Sequence, residues 1–405
     1  MARMIVDEFF CKGCGLCVDA CPLGIVELDN ERITDKGYHP AHCIDQSKCV
    51  GCVSCALMKG NEALAESAIR AGCKFFFGYP ITPQTELAAY MAKRMPKEGG
   101  TYLQAESEVA AINMVYGAAA AGARVMTSSS SPGISLKSEG ISYMAGADLP
   151  GVIINVERGG PGLGSIQPSQ SDYWQATKAL GHGDFQLLVF APSTVQEMAD
   201  LVYYAFDAAD KYRMPAMILA DGMLGQMMEP VVLPERIESL SEKPWATTGH
   251  KNARPHNVAN SLYLTAEELE RLNFERFERY EAIKETEQRA ETFMCDDAEI
   301  VLVAFGASAR IARSAVRAAR EKGIKAGLVR PITLWPFPVD AIRATLPTAQ
   351  TYLSVEMNMG QMVEDIRLAV NGEAPVEFYG RTGGVIPTPV EVLAKIEEIN
   401  ERAGE

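Results

Sequence analysis

Short apolar runs alternate with longer amphipathic stretches along most of this chain. Residues 74–77 form an apolar run too brief for a helix, bounded by Gly78 and Pro80, which predicts a buried strand. The same pattern recurs at 124–127, 151–156, 187–191 and 216–220, separated by helix-length segments. Residues 61–71 read as a helix stopped by Gly72. Thr82-Pro83 is expected to open another, with Thr as N-cap and Pro at the first helical position. In Gln104-Ala-Glu-Ser-Glu108 carboxylates begin a helix of very small residues, and Ser193-Thr-Val-Gln196 reads as a capping box. This alternation predicts an α/β fold, a parallel sheet covered by helices with ligands near the strands' carboxyl ends.

Further on, Thr265-Ala-Glu-Glu268 is expected to cap a highly charged helix running to about residue 293. Its apolar side is sparse, Leu269, Leu272, Phe277, Tyr280 and Ile283, as in a solvated helix linking domains. A second α/β unit follows, with strands at 300–305 and 325–329 around a helix at 309–322, then strands at 352–355 and 376–379.

Composition changes the picture in two places. At 405 residues the chain is long enough for two or three domains, and 47% hydrophobic with 22% charged residues suits a soluble globular protein. A net charge of −14 argues against nucleic acid, which needs clustered Lys and Arg. No apolar run approaches the roughly 20 residues of a membrane span, and no signal-like stretch precedes Cys11, so the cytoplasm is the expected compartment. The second place is the cysteines. Eight of the ten fall between Cys11 and Cys55, at gaps that suit a metal better than disulfides. Cys73 and Cys295 stand alone beside apolar residues and are expected to be inert buried thiols.

The run Cys11-Lys-Gly-Cys14-Gly-Leu-Cys17-Val-Asp-Ala-Cys21-Pro22 matches the C-x2-C-x2-C-x3-C-P pattern that holds a [4Fe–4S] cube. One tight loop supplies three thiolates, and Gly13 and Gly15 let backbone N–H groups approach the sulfides. Zinc, the alternative for four cysteines, is less suited to a single compact run. The second run is Cys49-Val-Gly-Cys52-Val-Ser-Cys55. In a two-cluster module the fourth cysteine of each run serves the other cluster. Cys49, Cys52 and Cys55 with Cys21 complete one site, whereas Cys11, Cys14 and Cys17 meet Lys59 where their fourth ligand belongs. Three outcomes stay open for that site: Cys43 as a substitute ligand, a three-iron cluster, or none.

Three features sit where the sheet would place a ligand: Gly78-Tyr-Pro-Ile-Thr-Pro83, Gln104-Ala-Glu-Ser-Glu-Val-Ala-Ala111, and Glu157-Arg-Gly-Gly-Pro-Gly-Leu-Gly164. Singly, each could be a cap, a dipole complement or a turn. Together with Thr127-Ser-Ser-Ser-Ser-Pro-Gly133, they resemble the pyrimidine-binding domain of the α subunits of 2-oxoacid:ferredoxin oxidoreductases. Glu356-Met-Asn-Met-Gly-Gln-Met362 and Phe378-Tyr-Gly-Arg-Thr-Gly-Gly384 look nearest the branched-chain, 2-oxoisovalerate type. The cysteine head resembles the small ferredoxin subunit of the same complexes.

The resemblance implies four parts. They are a two-cluster ferredoxin-like module (1–57), a thiamine-diphosphate pyrimidine-type parallel-sheet domain (58–235), a charged helical linker (236–295) and a transketolase C-terminal-like α/β domain (296–405). It implies that Glu108 bonds the aminopyrimidine ring and that Glu106 caps the helix instead. Pro80, Ile81 and Thr82 would border the cofactor, and Thr82 and Arg158 would hold the oxoacid's carboxylate. Ala220-Asp-Gly222 is only a partial likeness of a Mg²⁺–diphosphate motif and is read as a strand end. Mg²⁺ and the diphosphate then fall to a partner, so β and γ subunits are implied, with coenzyme A and a ferredoxin as co-substrates. The alternatives are a 2-oxoglutarate enzyme, or an electron-transfer or assembly subunit without thiamine chemistry.

Overall fold

The computed structural model describes residues 6, 11, 13, 15–19, 21–35, 37–49 and 57–404. Cys14, Cys52 and Cys55 lie outside the described residues. In the N-terminal part, α1 (Leu16–Asp19) precedes a hairpin of β1 (Val26–Leu28) and β2 (Ala41–Cys43), with Val26 opposite Cys43. Ile25, Val26 and Ala41 make a small core, against which Cys11, Cys17, Cys21, Cys43 and Cys49 pack. Gly13 has φ +60°, and a Cβ there would lie 2.7 Å from the His39 carbonyl oxygen, so the loop closes on backbone.

The chain then enters β3 (Leu57–Lys59), α2 (Gly60–Arg70), β4 (Phe75–Gly78), α3 (Thr85–Arg94) and β5 (Thr101–Gln104). It continues through α4 (Glu108–Ala120), β6 (Val125–Ser129), α5 (Ser131–Gly146), β7 (Gly151–Glu157) and β8 (Leu188–Phe190). After α6 (Val195–Tyr212), β9 (Pro215–Asp221) and α7 (Gly222–Gln226), β10 (Met228–Pro230) returns to pair with β3. The long α8 (Ala266–Thr286) leads to β11 (Ala290–Phe293), β12 (Ile300–Val303), α9 (Gly306–Glu321) and β13 (Ala326–Pro331). Last come β14 (Thr333–Trp335), α10 (Val339–Arg343), β15 (Thr351–Glu356), α11 (Met362–Val370), β16 (Val376–Gly380) and α12 (Pro389–Gly404).

Two sheets result. The larger has the order β14-β8-β9-β7-β6-β4-β5, parallel except for β14. The smaller has the order β11-β13-β12-β15-β16, parallel except for β11. Strands β6, β7 and β9 are buried at every position, as expected of a sheet with helices on both faces. The predicted buried strands are present within a residue or two at each end. One core joins the sheets, since Phe305, Tyr352 and Met357 belong to the same buried cluster as Phe76, Ile153 and Met217. β14 also crosses over, its Thr333 pairing antiparallel with Phe190 of β8. No helix among the described residues is long and apolar enough to cross a membrane.

Four local expectations are corrected. Helix α3 starts at Thr85, not at Thr82-Pro83. The fully buried Gln84 amide accepts from Ser128 Oγ at 2.6 Å and donates to the Tyr79 carbonyl at 3.3 Å, holding 79–84 as a turn. Ser107, not Glu106, caps α4, accepting from Ala110 N at 3.2 Å, and Glu106 is exposed. The capping box at α6 is shifted by one residue: Thr194 accepts from Glu197 N, and the Glu197 carboxylate takes Ser193 N at 2.8 Å. Finally, α8 ends at Thr286, and β11 is a strand rather than a continuation of the helix. Arg330, 4% exposed, binds Glu291 of β11 at 2.9 Å and Glu197 of α6 at 2.6 Å, which draws β11 onto the sheet edge.

Candidate active site

Three segments meet at the carboxyl ends of β4, β6 and β7. The first is Glu108, buried at 6% exposure in the first turn of α4. Its carboxylate lies against Gly133 near the start of α5: a Cβ on Gly133 would collide with Ser129 Oγ and lie 2.7 Å from Glu108 Oε1. Glycine at this position is therefore what makes room for the acid. Ser129 Oγ and Ser130 Oγ are buried there without a hydrogen-bond partner. Orphaned buried hydroxyls are costly unless something else satisfies them.

The second is the turn carrying Pro80, Ile81 and Thr82. Pro80 and Thr82 are exposed and Ile81 is half-buried. The third is Arg158, which follows the last residue of β7. Its Nη1 donates to the Thr82 carbonyl at 3.1 Å and its Nη2 to the Leu163 carbonyl at 3.0 Å, while Nε is buried with no partner. Arg158 N also donates to Ser131 Oγ at 3.1 Å, so α5 fixes the start of the loop. The structure thus brings Glu108, Thr82 and Arg158, far apart in the chain, to one sheet edge. Unpartnered hydroxyls beside an acid in a glycine-made recess suit a heterocyclic ring with N–H and ring-nitrogen groups. The residues present therefore fit the pyrimidine end of thiamine diphosphate.

Several groups around this edge were given no role in the site from the sequence. Glu157 and Asp221 end β7 and β9 in register, and both are buried. Burial pushes the Glu157 carboxyl well above the usual carboxylate range, reinforced by Asp172 and Asp221. Burial likewise pushes Asp221 up to about 6, against the N–H groups of Leu224, Ala307 and Met223 that favour its charge. As expected, Asp221 ends a strand; it caps α7 and reaches Ala307 N of α9 at 3.3 Å. Among the described residues no group of three His, Cys, Asp or Glu could hold a metal ion. Gln170, fully buried, donates to the Phe305 carbonyl and accepts from Ser308 Oγ at 2.6 Å and Met357 N at 3.1 Å. Gly383 and Gly384 pack on Gly159 and Gln167, so the Gly380–Gly384 run supports the Arg158 loop.

Lys137 was also missed. It is fully buried on α5, with Nζ donating to Thr127 Oγ1 at 2.8 Å and the Ser128 carbonyl at 3.0 Å. No local signal marks it, because a lysine among Ser and Gly reads as surface.

In the N-terminal part, Ala41 N donates to Cys11 Sγ at 3.4 Å, the kind of backbone contact that suits a cluster ligand. The described cysteines Cys11, Cys17, Cys21, Cys43 and Cys49 pack on one small core, while the remaining three of the head lie outside the described residues. Lys59, where a further ligand was expected, is instead turned to Glu86 at 3.3 Å. Cys73 is buried, with its thiol pushed up to about 12, whereas Cys295 is only partly buried, its thiol raised by the burial it has.

Comparisons with known proteins agree with this geometry. The family described as pyruvate flavodoxin/ferredoxin oxidoreductase, thiamine-diphosphate-binding, matches residues 66–294. Pyruvate:ferredoxin oxidoreductase core domain II matches residues 298–392, and the 4Fe-4S binding domain matches residues 4–27. The ketoisovalerate oxidoreductase subunit VorB of Methanothermobacter marburgensis is 52% identical over 344 residues, 85% of this chain and 97% of the relative. The 2-oxoglutarate synthase subunit KorA of Archaeoglobus fulgidus is 39% identical over 335 residues, 80% of this chain and 94% of the relative. A solved 2-oxoglutarate:ferredoxin oxidoreductase from Magnetococcus marinus superposes with a TM-score of 0.75 at 26% identity, over 84% of this chain. This chain spans 64% of that longer one. A split-gene transketolase, at 14% identity and a TM-score of 0.54, shares the fold alone. Matched over more than half its length by the thiamine-diphosphate-binding family, and preceded by a 4Fe-4S binding domain, the chain belongs to the family of 2-oxoacid:ferredoxin oxidoreductase subunits.

Proposed function

We propose that this chain is the α subunit of a 2-oxoisovalerate:ferredoxin oxidoreductase, which oxidatively decarboxylates the oxoacid with coenzyme A. The observation that carries the substrate choice is the 52% identity to a ketoisovalerate oxidoreductase subunit, covering 97% of that relative, against 39% for a 2-oxoglutarate synthase subunit. Thiamine diphosphate, when bound, supplies the nucleophilic carbon at which a 2-oxoacid loses CO₂.

The chain's own residues divide the remaining work. Glu108, seated on Gly133, accepts a hydrogen bond from the pyrimidine ring and exchanges a proton with it. Pro80, Ile81 and Thr82 border the ring. Arg158, already directed at Thr82, binds the oxoacid's carboxylate through its planar guanidinium. The loop after Arg158 presents Leu163 and Ile166 at 84% and 58% exposure. Such apolar residues beside a site suit burial by a partner subunit. That partner, the β subunit, supplies Mg²⁺ and the diphosphate contacts, and a γ subunit completes the complex.

The four-part division at 57/58, 235/236 and 295/296 belongs to the same reading. In the head, Cys21, Cys49, Cys52 and Cys55 hold one [4Fe–4S] cluster that passes electrons to ferredoxin. Cys11, Cys14 and Cys17 lack a fourth thiolate in the motif, and iron analysis separates the three outcomes: Cys43 as substitute ligand, a three-iron cluster, or an empty site. The test is turnover of the purified complex with 2-oxoisovalerate, 2-oxoglutarate and pyruvate, using coenzyme A and a viologen acceptor. Highest kcat/KM with 2-oxoisovalerate is expected, and preference for 2-oxoglutarate would replace this reading with the second one.

A further inference from the structure

Lys137 is the least expected charge in the larger domain. It is fully buried, yet its ammonium has only a hydroxyl and a carbonyl as partners, Thr127 Oγ1 and the Ser128 oxygen. No ion pair within 4 Å among the described residues includes it. Replacing such a group with an apolar side chain of like size is often neutral or stabilising, so packing alone gives no reason for a lysine here.

Its position supplies a reason. Gly133, Lys137 and Gly140 share one face of α5, about one turn apart. Gly133 receives the Glu108 carboxyl, and Gly140 receives Ile112, where a Cβ would lie 2.5 Å from the Ile112 side chain. Both contacts are with α4. The two helices therefore close on each other through glycines placed on either side of Lys137. Its ammonium is tied to Thr127 and Ser128, which lead directly into Ser129 beside the Glu108 recess.

We propose that Lys137 is the counter-charge of Glu108, a positioning residue that keeps the carboxyl seated on Gly133, ready to accept from the ring. The inference rests on the reading of Glu108 as the group that meets the pyrimidine. The elements packed against α5 bring few other charges. α4 carries Glu108, β7 ends in Glu157, β9 ends in Asp221, and Asp172 and Arg158 meet α5 at Ser131. On α5 itself Glu139 pairs with Tyr143 at the surface. Of all these, it is the Glu108 carboxyl that lies against Gly133, one turn from Lys137 on the same face, and its charge works against the burial that pushes the Lys137 ammonium down to about 7.

The experiment uses the complete complex loaded with thiamine diphosphate and Mg²⁺. It follows, against pH, the near-ultraviolet circular dichroism band that reports the tautomer of the bound aminopyrimidine. Lys137→Gln retains polar contacts without charge, and Lys137→Met removes both. Loss of a neighbouring cation favours the protonated ring, so both variants are expected to move the midpoint upward by about half a pH unit or more. Thermal unfolding of each variant checks the fold. If Lys137→Gln titrates like the wild type and only Lys137→Met loses thermal stability, the lysine is structural and the proposal fails. A Glu108→Gln arm separates the two ideas. If that variant titrates unchanged, the reading of Glu108 fails; if it abolishes the transition while both Lys137 variants leave the midpoint in place, only the Lys137 inference fails.

Discussion

Arg158 donates from Nη1 to the backbone carbonyl of Thr82 at 3.1 Å, across 76 residues of chain. The buried cation is thus aimed by a turn in one segment and held by the Leu163 carbonyl of a glycine loop in another. Truncation to Arg158→Ala is expected to raise KM for the oxoacid about 10- to 100-fold, from loss of about 1.5–3 kcal/mol in a hydrogen bond to a charged group. Steady-state kinetics of the complex would show it, and an unchanged KM would remove Arg158 from substrate binding.

Gly133 makes a sharper test of geometry than the acid itself, because the change touches no chemical group. In Gly133→Ala the added methyl meets Ser129 Oγ and Glu108 Oε1. Alanine is the better helix former, so any loss reflects the collision. Turnover is expected to fall at least about 100-fold as the carboxyl is displaced, with overpacking costing about 1–3 kcal/mol of stability. Near-normal turnover would mean that Glu108 need not sit on this wall.

Asp221 predicts a pH dependence of stability in the apoprotein. Folded, it keeps its proton up to about 6, whereas the ordinary value is 3.8. Between those values unfolding releases a proton, so this group's contribution falls as pH rises through the window and is constant above it. The loss amounts to about 3 kcal/mol at most. Asp221→Asn removes the effect while keeping a capping oxygen for Met223 and Leu224. Its thermal midpoint, relative to wild type, is expected to climb from pH 4 to 6 and then level off; a constant difference would contradict the buried-acid account.

Iron and sulfide analysis of the purified chain addresses the cysteine head. With Lys59 turned to Glu86 at 3.3 Å, fewer than the about eight irons of two intact cubes are expected. About eight in the wild type and about four in Cys43→Ala would instead make Cys43 the substitute ligand.

The residues that were legible in advance share a cause. Glu108 and Arg158 stand in the short runs Ser107-Glu-Val-Ala-Ala111 and Arg158-Gly-Gly-Pro161 that carry the family likeness, although the cap of α4 itself was assigned to Glu106 instead of Ser107. What stayed hidden depends on contacts across the sheet. The start of α3 is delayed by Gln84 reaching Ser128, a residue 44 positions away. The overlong α8 hides β11, which is held by Arg330 and cannot be read from a four-residue run. Lys137 was invisible because a polar residue between serines signals solvent, unless the glycines around it are known to be helix contacts.

The exchange of β14 has a mechanical corollary. Because Thr333 is stitched to Phe190, the rear α/β unit clasps the front one by backbone as well as by side chains. A protease cut in the extended stretch before α8 would therefore yield a nicked particle whose two fragments stay together under native conditions. Breathing that admits substrate must then come from the Arg158 loop or from the companion subunit, because the two halves of this chain cannot swing apart without unpicking a strand.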